Sequence, residues 1–138
     1  MPTVALTKVH SFVEFVGKKL IDLSGAGLTI ALTNTAHTST WDELADLTQV
    51  SYTNLSTRVV TVTSYTQTTG TAKLILADLT LTSTGGQTGP FRYVYLYDDA
   101  STGDKLIGYY DFGTAITMTD GDQLVLNFDG SAGVLTIA

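Results

Sequence analysis

The sequence predicts a mainly β protein: a β-sandwich or jelly-roll-like antiparallel domain preceded by one N-terminal amphipathic helix. Three observations carry that expectation. From Gly27 onward the apolar residues recur with period two, the spacing at which side chains share one face of a strand. Turn signals rich in Gly and Asp separate these segments at roughly 8 to 12 residues, the rhythm of a sandwich or barrel. The polar positions are filled largely by Thr, which is β-branched, favours strands and tolerates water.

The amino-terminal part has a different period. Val9, Phe12, Val13, Val16 and Leu20 fall at helical spacing, with Lys8, Ser11, Glu14, Lys18 and Lys19 on the opposing side. This predicts a helix over residues 7–21, capped by Thr7, supported by Glu14 and Lys18 at i, i+4, and ended by the run Ser24 to Gly27. Phe15 lies off the apolar stripe, and Gly17 weakens a helix interior by about 1 kcal/mol relative to Ala.

Strands follow in order. Leu28, Ile30 and Leu32 alternate with Thr29, Ala31 and Thr33; Val60 and Val62 alternate with Thr61 and Thr63; Ala72, Leu74 and Leu76 share a face. Leu79 and Leu81 then place their apolar side chains on odd numbers, which predicts a break or bulge near Ala77 and Asp78. Further strands are expected at Phe91 to Tyr97, Leu106 to Phe112, Ile116 to Met118, Leu124 to Phe128 and Leu135 to Ile137. Turns are expected at Gly85-Gly86, Gly89-Pro90, Gly103-Asp104, Asp120-Gly121 and Asp129-Gly130. Residues 39–55 fit a short helical turn or a long connecting loop equally well. The whole reads as a single domain over residues 1–138, with residues 27–138 forming its β part; at this length a core forms without staples.

Composition narrows the function classes. Charged residues make up 14% of the chain, against about 25% in an average soluble protein. The net charge of −6 opposes phosphate backbones, so no nucleic-acid partner is expected. The absence of Cys removes disulfides and thiolate metal sites. No apolar run approaches the roughly 18 residues of a membrane span and no signal-peptide pattern opens the chain, so no membrane partner is expected and the protein is expected to stay in the cytoplasm that makes it until it is assembled.

No catalytic constellation emerges. His10 and His37, the two histidines, have no third ligand near them in sequence, and no serine sits in a nucleophile-elbow pattern. Acids cluster at Asp98, Asp99 and Asp104, at Asp120 and Asp122, and at Asp129. Two loops at one end of a sheet would offer oxygens to calcium, and a pair of carboxylates would suit glycoside hydrolysis. Asp-Gly is also a preferred hairpin turn. The expectation is therefore no enzyme, no cofactor and no metal.

One segment is informative. Phe91, Tyr93, Tyr95 and Tyr97 occupy alternate positions while Val94 and Leu96 lie between them, the pattern of a strand covered on both faces. Two covers fit the aromatic row: the N-terminal helix, or a neighbouring subunit, since Tyr buries area at interfaces while its hydroxyl keeps a polar partner. Ile107 and Tyr109 widen the row if their strand pairs with it through the loop from Asp98 to Asp104. The expected contact residues are Phe12, Phe15, Tyr93, Tyr95 and Tyr109.

The blocks Gly89-Pro90-Phe91-Arg92-Tyr93 and Leu106-Ile107-Gly108-Tyr109-Tyr110-Asp111-Phe112-Gly113, the turn Asp120-Gly121-Asp122 and the terminal Asp129 to Ala138, in this order and spacing, resemble a family of small tailed-bacteriophage virion proteins. The segment Leu28 to Ala36, following an amphipathic helix, is similar to the amino-terminal part of the same family. The resemblance implies a structural role in the particle and no active site. Its leading form is a head decoration or cement protein, a homo-oligomer that binds and stabilises the lattice of the major capsid protein or another virion protein. A tail or head-to-tail connector component is the first alternative, and a carbohydrate-binding or receptor-binding β-module using Trp41 or tyrosines is the second.

Overall fold

The computed structural model describes residues 5–25 and 27–138. The chain is mainly β, built from antiparallel sheets with one short helix. The strands are β1 (Thr7–Lys8), β2 (Leu28–Thr33), β3 (Val62–Thr68), β4 (Thr71–Leu76), β5 (Leu79–Thr82), β6 (Thr88–Asp98), β7 (Lys105–Met118), β8 (Gln123–Leu126) and β9 (Leu135–Ile137), and the helix is α1 (Phe12–Gly17). The largest sheet runs β1-β7-β6-β2; β3-β4-β9 and β5-β8 form two smaller ones. Their inward side chains, among them Leu28, Ile30, Leu74, Leu81, Leu96 and Leu106, join one apolar core.

The central hairpin sets the frame. β6 and β7 pair with Tyr95 opposite Tyr109 and Val94 opposite Tyr110. β2 closes the other side of β6, with Ala31 opposite Tyr95 and Thr33 opposite Tyr93. All six residues of β2 are buried, because both of its faces and both of its edges are covered; the backbone of Arg58 to Val60 bonds its outer edge through Ile30 and Leu28. Between Leu96 and Tyr97 the register shifts so that Leu106 faces Tyr97 and Gly108 faces Leu96. Ile107 is the extra, bulged residue and is fully buried. It therefore leaves the tyrosine row to Tyr109 and Leu106.

The parity change has the expected cause. β4 ends at Leu76 and β5 begins at Leu79 in another sheet. Between them the Ala77 amide donates to the Thr61 carbonyl, and the Asp78 carboxylate accepts from the Phe128 amide at 2.9 Å.

The helix is shorter than the expected span of residues 7–21. Thr7 and Lys8 pair as β1 with Tyr109 and Gly108 instead of opening a helical turn. Gly108 permits this approach, since a Cβ there would lie 2.7 Å from the Thr7 carbonyl oxygen. At the other end, Lys19 takes a left-handed φ of 60° and stops the helix one turn after Glu14, with which Lys18 forms an ion pair. The buried side is also rotated from the periodic expectation. Phe12 and Phe15, three residues apart, enter the core, while Val13 remains 70% exposed. A six-residue helix buries what its docking angle on β7 selects, and two aromatic rings outweigh one Val.

Candidate functional site

The tyrosine face of the large sheet is the most elaborated place on the molecule. Tyr93 and Tyr95 on β6 meet Tyr109 on β7, with ring centroids 6.4 and 5.3 Å from it. Part of the cover over them comes from the chain itself. It is the segment 34–41 that leaves β2, which crosses the face and lays the His37 ring on Tyr109 at 4.5 Å and 26°. Trp41 meets His37 edge-on at 5.8 Å and Tyr95 at 6.3 Å. The path follows from the register: β2 ends at Thr33 beside Tyr93, so the following residues emerge at the edge of the aromatic row.

One polar contact fixes the cover. His37 Nδ1 and the Tyr95 hydroxyl are 2.8 Å apart. Burial pushes the Tyr95 phenol well above its ordinary range, with the neighbouring Tyr109 and Tyr93 adding to the effect. Burial also pulls the His37 imidazole below its ordinary value, helped by the charge of His10. The residues after Trp41 are tied down by backbone instead: Leu106 donates to the Asp42 carbonyl, Leu44 donates to the Asp104 carbonyl, and Lys105 pairs with Glu43.

The chain itself buries most of the expected contact residues. Phe12 and Tyr95 are 0% exposed, Tyr93 and Phe15 are buried, and Tyr109 is partly covered by His37. They lie in two places, the rings of Phe12 and Phe15 on α1 and the tyrosine cluster, where His37 lies against Tyr95 and Tyr109 and Tyr93 meets Tyr109. Sequence reading missed the pairing of His37 and Trp41 with the tyrosines because a loop carries no period, and only the concentration of rings just after β2 pointed to it.

The acidic clusters resolve into turn chemistry. Asp98 is buried, and its carboxylate accepts from the amides of Asp22 at 3.0 Å and Ala100 at 3.1 Å. Asp120 accepts from the Gly85 amide at 2.8 Å. The Thr119 amide and hydroxyl hold the Asp122 carboxyl below its usual range, and the amides of Ala132 and Ser131 do the same for Asp129. Among the described residues, no three His, Cys, Asp or Glu side chains gather in a group able to hold a metal ion.

A groove of about 1000 Å³ opens where Leu6, Tyr110 and Phe112 face Val125, Phe128 and Val134. Its wall mixes these apolar side chains with Asn127, Asp129 and the Tyr110 hydroxyl, whose pKa burial pushes up to about 12. Among the described residues, no helix is long and apolar enough to cross a membrane. Comparison with protein-family models, with curated proteins and with solved structures finds no match.

Proposed function

We propose that this protein is a structural, non-enzymatic component of a tailed-bacteriophage virion, made in the host cytoplasm and assembled onto the head as a homo-oligomeric decoration or cement protein. Its partner in this reading is the major capsid protein, and the three sheets are the layers of a β-sandwich or jelly-roll-like domain. The observation that carries the reading is the resemblance of the ordered blocks from Gly89 to Ala138. Two of them, Gly89 to Tyr93 and Leu106 to Gly113, meet across the central hairpin, where Arg92 pairs with Asp111. The two blocks are thus neighbours in one structural unit.

Decoration needs surface that sticks without reacting. Four of the five rings first expected there are buried and Tyr109 is partly covered, so the adhesive surface is assigned to the apolar side chains that remain outside: Val13 on α1 and Leu20 after it, with Val59 and Val125 on the β surface. A low-charge, hydroxyl-rich exterior surrounds them, which costs little to dehydrate in a large assembly. A protein that binds only the assembled lattice shifts the equilibrium toward it by linkage. Trp41, the residue on which a sugar-binding reading leans, is already engaged by His37 and Tyr95.

Cryo-electron microscopy of purified particles tests this. Density for the chain on the shell, in hundreds of copies, is the expected result. About a dozen copies or fewer, confined to the tail or connector, would replace the head assignment with the tail one, and absence from mature particles would remove the virion reading altogether.

A further inference from the structure

We propose that residues 34–41 form an acid-released strap over the tyrosine face, with the His37 ring as its single latch. The hydrogen bonds of this segment support it. Thr35 bonds to Thr33, Thr38 to Thr40, and the Trp41 amide to the Thr38 carbonyl, all local. Among the described residues, apart from the bond of Thr35 to the adjoining end of β2, the one hydrogen bond that ties 34–41 to an element is His37 Nδ1 to the Tyr95 hydroxyl. The residues flanking His37, Thr35, Ala36 and Thr38 to Thr40, are exposed, so the strap is held to the face by the rings of His37 and Trp41.

The latch is a titratable group. Facing the His37 ring are Tyr95 from β6, Tyr109 from β7, Trp41 from the strap itself and His10 from the turn before α1. The charge acting on it from this set is that of His10, which is of like sign, and burial disfavours the imidazolium further. The closed strap therefore binds a proton less readily than the open one. Closure is at full strength above the ordinary histidine value of 6.5 and weakens as the pH falls through it. Opening uncovers the rings of Tyr95 and Tyr109 and leaves the Tyr95 hydroxyl without its partner in the strap.

Trp41 is the single tryptophan of the chain and rides on the strap, so it reports the motion directly. The experiment is acrylamide quenching of its fluorescence at about pH 7.5 and about pH 5, either side of the histidine range, with far-ultraviolet circular dichroism as the check on global folding. In the wild type, accessibility of Trp41 is expected to rise at the lower pH while the β spectrum is unchanged. In His37→Gln, whose amide still reaches Tyr95 but does not titrate, accessibility is expected to stay level. Nuclear Overhauser contacts between the His37 and Tyr109 rings should fade over the same interval. Equal quenching of the wild type at both pH values would overturn the proposal, as would an equal rise in His37→Gln or loss of the β spectrum together with the rise.

Discussion

Arg92 holds Asp111 across the central hairpin through two parallel hydrogen bonds, Nε to Oδ1 at 2.7 Å and Nη2 to Oδ2 at 3.1 Å. The fork geometry matches guanidinium to carboxylate and fixes β6 against β7 beside the irregular stretch between Phe91 and Tyr93. The Arg92 guanidinium, with the Gly113 amide, holds the Asp111 carboxyl below its ordinary value of 3.8. Because this pKa is depressed on folding, the contribution is present in full above pH 3.8 and is lost as the pH falls through the folded value. Asp111→Asn is therefore expected to lower the denaturation midpoint modestly at neutral pH, since the pair is partly exposed and screened. In acid denaturation series, the difference between Asp111→Asn and the wild type should close below pH 3.8; a difference that persists would assign the effect to packing.

How much of this was legible in the sequence depends on what kind of signal each feature leaves. Period two located most of the strands but not β1 or the far half of β3, and the parity change at Leu79 marked where one sheet ends and another begins, because alternation is imposed by the pleat whatever the tertiary context. The α1 stripe misled by including Val13 and excluding Phe15, since a helix of six residues has too few turns for periodicity to define its docking angle. The tyrosine row announced that both faces of β6 are covered, but not by what. The cover came from His37 and Trp41 on a segment with neither period, and their placement is set by the Thr33 to Tyr93 pairing, which is a property of topology.

The turn between β3 and β4 offers a stabilising change. Thr68 pairs with Thr71, so Thr69 and Gly70 form a two-residue hairpin loop with φ of 53° and 85°. A left-handed conformation suits Gly and Asn but crowds a β-branched side chain. Thr69→Asn is expected to raise stability by about 1 kcal/mol, read as a higher urea midpoint with an unchanged slope. A lower midpoint would show that the Thr69 side chain contributes more than its backbone costs.

Gly108 carries the pairing that replaces the first turn of the expected helix. A Cβ there meets the Thr7 carbonyl oxygen at 2.7 Å and the Leu6 Cγ at 2.9 Å, both too close. Gly108→Ala should push β1 away from β7 and cost about 1–3 kcal/mol. Hydrogen exchange should show the Val9 amide, which donates to the Ile107 carbonyl, losing protection while the amides in the β2–β6 pairing keep theirs. Unchanged protection at Val9 would mean that β1 tolerates the added methyl in place.

Phe12 and Val13 are neighbours on α1 with opposite roles, and together they separate folding from adhesion. Phe12 is 0% exposed, so Phe12→Ala removes a buried ring and should cost about 3–5 kcal/mol. Val13 is 70% exposed, so Val13→Ser should leave the isolated protein within about 0.5 kcal/mol of the wild type. If α1 contacts a capsid lattice, the order reverses in a binding assay with particles stripped of this protein. There, Val13→Ser should weaken attachment through the lost apolar contact, and Val13→Ser with Leu20→Ser should weaken it further, since both side chains lie outside the core. Sedimentation of protein with particles measures this directly. Wild-type attachment by the double variant would clear α1 of a contact role and leave Val59 and Val125 on the β surface to carry it.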